Sequence, residues 1–380
     1  MISTGLARVC ADPGLLGPSW PAARFGLVTN HGGVLPDLTP SAVALRAAGV
    51  PLVALFGPEH GLHGTAQAGG GESSTVDSDT GLPVYNTYGV SRAALDEMVS
   101  TVDVVLCDVP DAGTRCYTYV WTMADLMGAA ARTGRQFVVL DRPNPIGGVA
   151  VEGPVLDPAY TSFVGRMPVP LRHGLTVAEL ARWLARDRRV SLTVVAMTGW
   201  QRHLYGDETG LEWVMPSVNL PTVDTAVVYP GAVLFEGTNL SEGRGTTRPF
   251  ELIGAPYVDG RWVAALRSAG LPGVAFRDVR FTPMFGKHAG TVVRGVQLHV
   301  TDRSAFAPVA VVLEMLRLLR ALYPVEFGWR PAGQDGRHHI DLLWGSDNLR
   351  RAVDADADPA ELLAVAPKDV SWAGDALLYE

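Results

Sequence analysis

Between residues 24 and 200 short, nearly continuous apolar runs alternate with stretches of helical spacing. RFGLVTN (24–30), PLVALFG (51–57), VDVVLCDVPD (102–111), QFVVLDRPNP (136–145) and SLTVVAMTGW (191–200) read as strands. Between them, SAVALRAAG (41–49) closes on a glycine suited to a C-cap. WTMADLMGAAARTG (121–134) has apolar residues at helical spacing and ends at Gly134. Thr176-Val177-Ala178-Glu179 is a capping-box signature for the helix that runs through ARWLARD. Continuous apolar strands need cover on both faces, so this pattern predicts an α/β fold: a Rossmann-like, mostly parallel sheet with helices on both sides. No GxGxxG follows the first strand, and no phosphate-cradling GxxxxGK followed by Ser or Thr occurs. No cofactor is therefore expected.

The character changes after about residue 250. GVAFRDVRFTPMFGK and TVVRGVQLHVTDR read as longer strands, and PVAVVLEMLRLLRALY (308–323) as a strongly apolar helix with Ser304 as its cap. Asp358-Pro359-Ala360-Glu361 marks a further helix start with Pro at the first helical position. A chain of 380 residues exceeds one compact core. The expected division is a catalytic domain over 1–250 and a smaller α+β domain over 251–380 that closes a cleft.

Composition narrows the partners. Hydrophobic residues are 47% and charged residues 18%, which is globular. A net charge of −8 without a basic block argues against nucleic acid, while a single arginine can still hold a small anion. No apolar run approaches the roughly 20 residues that span a bilayer. The opening MISTGLARVCADPGLLGPSW has no signal-peptide pattern, so the expected location is cytoplasmic, or exported if a leader has been removed. Three cysteines give neither a disulfide framework nor a CxxC knuckle. Cys107 reads as a core hydrophobe. Cys116 would need a histidine partner to act as a nucleophile.

Ligands of open parallel sheets bind beyond the carboxyl ends of the strands. The first run ends in Thr29-Asn30-His31-Gly32 and the second in Gly57-Pro58-Glu59-His60-Gly61. The third is followed by Asp108, Asp111, Gly113, Arg115 and Tyr117, and the fourth by Asp141-Arg142-Pro143-Asn144. Four such ends point to one crevice. Against this, loops are polar anyway, and Asp108 or Asp111 can be a helix cap. A second dense stretch, YPGAVLFEGTNLSEGRGTTRPFE (229–251), gathers Glu236, Asn239, Glu242 and Arg244 among glycines. It reads as a ligand-binding loop, or as a structural turn in which Glu242 and Arg244 make a surface ion pair.

GPEHG, DAGTRCYTY, LDRPNPIGG, VEGPVLD, SFVG, RHGLTVAELA, PSVNLPT, YPG and EGTNLSEGRGTTRPFE occur in that order. Together they resemble the exo-β-N-acetylmuramidase family of bacterial peptidoglycan hydrolases, from LVTN at 27 to the terminal LLYE. The resemblance implies a Rossmann-like domain joined to a smaller C-terminal domain, with the active site in the cleft between them. It implies release of N-acetylmuramic acid from the non-reducing end of peptidoglycan fragments. Carried onto this chain, the matching positions are Glu59, His60, Asp111, Arg115, Tyr117, Tyr119, Asp141, Arg142, Asn144, His173, Asn219, Glu236, Asn239, Glu242 and Arg244. Asn30 joins them at the end of the first strand. There are departures from the family pattern, among them a first motif that ends in His-Gly-Gly. Pro110 stands where a glutamine is usual, and Cys116 where an aromatic is usual; both bear on fine specificity.

Glycoside cleavage needs an acid for the leaving oxygen and a carboxylate for the sugar cation or the water. Glu59, after an apolar strand, is expected to be desolvated and to serve as the acid. His60 would orient it or bond the sugar. The partner is sought among Glu242, Glu236 and Asp111, with a histidine, a tyrosine or the substrate's acetamido group as substitutes. Muramic acid carries a lactyl carboxylate, which Arg115, Arg142 or Arg244 could take in a bidentate fork. Tyr117 or Trp213 could stack on the sugar. Two other readings stand beside this one. One is a metal-dependent hydrolase built on Glu59, His60, His63 and Asp108 or Asp111, although HExxH is absent. The other is a muramyl-glycan-binding protein without catalysis.

Overall fold

The apolar runs form the middle of a single large sheet. The computed structural model describes residues 2–18 and 20–380. Strands β1 (Phe25–Thr29), β2 (Leu52–Gly57), β3 (Thr75–Val76), β4 (Pro83–Asn86), β5 (Val104–Asp108) and β6 (Gln136–Leu140) come first in the chain. β7 (Glu152–Val155) and β8 (Pro170–Arg172) make a separate antiparallel ribbon, and β9 (Ser191–Val195) returns to the main sheet. Its order is β3-β4-β2-β1-β5-β6-β9, with every pairing parallel except β3 on β4. The winding reverses between β1 and β5, where Thr29 is paired with Asp108.

Side chains alternate across the sheet as a strand's two-residue period requires. Val104 and Leu106 enter the core beneath α1 (Gly5–Ala11) and α2 (Ser41–Ala47), with Leu6 and Leu45. Val105 and Cys107 enter the opposite core, with residues of α3 (Arg92–Ser100), α4 (Tyr119–Thr133) and α5 (Val177–Ala185). Both halves of the capping box at α5 are made. The Glu179 amide donates to Thr176 Oγ1 at 3.3 Å, and the Thr176 amide to Glu179 Oε2 at 3.1 Å. α4 stops at Gly134, whose φ of 67° is left-handed.

The chain continues through α6 (Val223–Ala232), β10 (Leu252–Ala255), α7 (Gly260–Ser268), β11 (Val274–Phe281), β12 (Val293–Val300), α8 (Pro308–Leu322), α9 (His339–Trp344) and α10 (Asn348–Asp354). β10-β12-β11 is an antiparallel sheet. α8 starts on Pro308 with Ala307 in the cap position; Ser304 caps nothing there, because its hydroxyl is spent on Asp302 at 2.6 Å. The start at Asp358 is a 3-10 turn over Pro359–Leu363, with Asp358 accepting from the Ala360 amide. Among the described residues no helix is long and apolar enough to cross a membrane.

One close approach ties the small sheet to the turn at 241–247. Gly254 of β10 pairs with Gly295 of β12, and a Cβ on Gly295 would lie 1.9 Å from the Ile253 carbonyl oxygen. Gly254 also exchanges backbone hydrogen bonds with Ser241 at 2.8 and 3.0 Å, so the turn is anchored at this spot. Gly295→Ala is expected to cost about 1–3 kcal/mol, read as a lower urea midpoint. An unchanged midpoint would show that the strands can part freely there.

Candidate active site

β2 ends at Gly57, and the chain turns sharply. His60 takes a left-handed φ of 70°, a conformation that costs a residue with a Cβ on the order of 1–3 kcal/mol. The loop holds it there. The His60 amide donates to Gly70 O at 2.9 Å, Gly61 N to Pro58 O at 3.0 Å, and Ala66 N to His60 O at 3.2 Å. Gly64, with φ 71°, passes so close to His31 that a Cβ would lie 2.1 Å from its ring. This geometry delivers Glu59 into a cavity with only 5% of its surface exposed. Gly69, in the loop AGGGESST, donates its amide to Glu59 Oε1 at 2.6 Å. Thr118 occupies the N-cap position of α4 but caps no amide; its hydroxyl bonds Glu59 Oε2 at 2.6 Å. His60 Nδ1 lies 2.8 Å from the Ala66 carbonyl, so Nδ1 carries a proton, and in the neutral tautomer the lone pair is on Nε2.

The cavity, about 270 Å³, draws on residues far apart in the chain. Residues before 221 contribute Glu59, His60, Gly69, Cys116, Tyr117, Ser217 and Asn219; residues after 228 contribute Tyr229, Glu236, Arg244, Arg330 and His339. Glu236 sits on the 3-10 turn Val233–Gly237 that follows α6. Arg244 donates to its Oε1 at 2.7 Å, and His339 Nε2 is 3.6 Å from Oε2. Burial opposes the charge, but Arg244 and His339 outweigh it and hold the Glu236 carboxyl well below the usual range. It is a carboxylate at neutral pH. The Asn219 amide nitrogen is buried without a protein partner among the described residues. Phe163, 46% exposed, stacks on His339 at 6.1 Å and offers an aromatic face at the mouth.

Six expected residues thus come together here: Glu59, His60, Tyr117, Asn219, Glu236 and Arg244. The others lie elsewhere, each held by partners of its own. Glu242 stands behind Arg244, 3.5 Å from its Nε and 2.8 Å from Lys287. Asp111 faces His173 at 3.1 Å in a buried pair. Arg115 is fully buried and donates to the carbonyls of Pro154, Val169, Leu343 and Trp344 at 2.8–2.9 Å. Arg142 forms a buried fork with Asp108 at 2.6 and 2.8 Å. Asp141 accepts from Thr176, Ala178, Arg142 and the Tyr379 hydroxyl, which pins the C-terminal tail. Asn144 bonds Leu175 O and Ile146 N. Asn30 bonds Gly32 N, Tyr119 and Pro216 O, and Asn239 bonds Glu326 O, Tyr257 and Gly328 N. Neither Arg115 nor Arg142 lines the Glu59 cavity.

Asp111, Arg142, Pro110 and Trp213 line a second cavity of about 90 Å³, so Trp213 has no sugar to stack on in the first. Burial pushes the Cys116 thiol up to about 12, which removes the thiolate a nucleophile needs. The side chains named for a metal do not converge. His63 faces Asp77 at 3.5 Å, Asp108 is held by Arg142, and no group of three or more His, Cys, Asp or Glu is placed to hold a metal among the described residues.

Thr118, Phe163, Arg330 and His339 escape a reading of the sequence. Phe163 lies in SFVG, one of the stretches that carry the family resemblance, but Arg330 and His339 sit in GWR and RHHI with no periodicity or spacing to mark them.

Comparisons with known proteins place the chain in a family. The family description "Exo-beta-N-acetylmuramidase NamZ, N-terminal" matches residues 25–224, and its C-terminal counterpart matches 227–372. The chain is 47% identical over 335 residues to the peptidoglycan β-N-acetylmuramidase NamZ of Bacillus subtilis (strain 168), covering 87% of this chain and 80% of the relative. Two crystal structures of DUF1343 family proteins from Bacteroides fragilis superpose with TM-scores of 0.85 and 0.75 at 32% and 28% identity. Each comparison covers 100% of this chain and 99% of the other. The chain belongs to the exo-β-N-acetylmuramidase NamZ family of glycoside hydrolases and carries both of its domains.

Proposed function

We propose that the Glu59 cavity binds a terminal N-acetylmuramic acid of a peptidoglycan fragment and cleaves its glycosidic bond. Glu59 gives its proton to the leaving oxygen as the C1–O bond breaks. The Thr118 hydroxyl can accept as well as donate, so the same contact serves the protonated and the ionised carboxyl. Glu236 supplies a fixed negative charge opposite the developing sugar cation. His60, with its lone pair on Nε2, is set to accept from a sugar hydroxyl or from water. What supports the reading most is that two carboxyl groups share one cavity in different surroundings, one clamped by neutral donors and one held ionised by Arg244.

The test is incubation with a disaccharide of N-acetylmuramic acid on N-acetylglucosamine, followed by NMR. Free N-acetylmuramic acid is the expected product, and the first anomer formed tells retention from inversion. Binding of the disaccharide with no sugar released would leave a binding protein instead.

A further inference from the structure

A site for muramic acid must tell it from its neutral counterpart, N-acetylglucosamine. The two differ by the lactyl ether, and so by one carboxylate. A cavity that already holds the ionised Glu236 disfavours a second negative charge unless a cation is free to meet it.

Most cations near the cavity are already engaged. Arg244 is shared between Glu236 and Glu242, and Lys287 stands on Glu242 at 2.8 Å while donating to Phe235 O and Thr238 O. Within that cluster two carboxylates balance two cations. Both terminal nitrogens of Arg115 are taken up by carbonyls and Arg142 is engaged by Asp108 and the Val34 carbonyl, and neither residue lines this cavity. Arg330 differs. It lines the cavity, its side chain is exposed, and among the described residues it has neither an ion pair nor a side-chain hydrogen bond.

Its backbone, by contrast, is fixed. The Arg330 amide donates to Gly237 O at 2.7 Å, one residue beyond Glu236, and its carbonyl lies 3.2 Å from His338 Nδ1. Thr238 and Trp329 form a bridge beside it. The chain therefore holds the root of this arginine against the Glu236 turn and leaves the planar fork at the rim unpaired. A fork of that kind matches a carboxylate in bidentate geometry.

We propose that Arg330 receives the lactyl carboxylate of the substrate and is the residue by which this site selects muramic acid. The inference rests on the proposed function.

The experiment compares two aryl β-N-acetylmuramides, one with the lactyl group as free acid and one as its methyl ester, on wild type and Arg330→Ala. Because the Arg330 side chain makes no intramolecular bond, the alanine variant should fold, and a melting curve superposed on wild type checks this. The wild-type ratio of kcat/KM, acid over ester, is expected to fall about 10- to 100-fold in Arg330→Ala, with part of it recovered in Arg330→Lys. The same ratio in wild type and Arg330→Ala would overturn the assignment while leaving the hydrolase intact. Release of no sugar by wild type from either compound would overturn the proposed function, and this assignment with it.

Discussion

Glu59→Gln is expected to lower kcat on a muramyl disaccharide by about 10²- to 10⁴-fold, the usual weight of a general acid. The loss on an activated aryl muramide should be far smaller, because an aryl oxide departs without a proton. The substitution is close to isosteric. The amide oxygen can still accept from Gly69 N–H, and the amide nitrogen can donate to the Thr118 hydroxyl, so the hinge at 57–64 should keep its shape. Steady-state kinetics on the two substrates separates a proton donor from a mere binding group. Equal losses on both would take Glu59 out of the acid's role.

The second large effect concerns the fold. Arg115→Met is expected to destabilise the protein by about 3–5 kcal/mol. The guanidinium satisfies four carbonyls, one in β7, one just before β8 and two at the end of α9. Methionine fills similar volume and bonds none of them. Burial pushes the Arg115 pKa down to about 10, so the group is still charged at neutral pH and its donors are all present. The measurement is urea unfolding at pH 7 followed by tryptophan fluorescence. A drop below about 1 kcal/mol would mean that water replaces the guanidinium at no great cost.

Much of the fold could be read in the chain because its signals are local. Val104 to Asp108 is buried on both faces, and a buried strand shows itself as an unbroken apolar run. Thr176 and Glu179 lie three residues apart and make both contacts of their box. Gly134 ends α4 because a left-handed residue is needed there. The edge strand β3 was not legible, since Thr75 and Val76 are exposed and carry no such run.

The site was legible only in part, for a related reason. Glu59 could be singled out because its hinge is written in consecutive residues. The roles of Arg115, Arg142 and Asp141 could not. Each is settled by partners far off in sequence: Leu343 for the first, Asp108 for the second, Tyr379 for the third. An arginine beside a strand end reads the same whether it meets a ligand or a carbonyl. Arg330 is the converse case, a residue notable only for what it fails to touch.

The four carbonyls beneath Arg115 also bear on how the enzyme moves. Two of them, on Leu343 and Trp344, lie across from the part that holds Arg115, and a jaw-like parting would strand these two without donors, at roughly 1–3 kcal/mol apiece. Wide opening is penalised to that extent, which favours entry of sugar by smaller shifts of cavity-lining loops such as the one that carries Ala68 and Gly69.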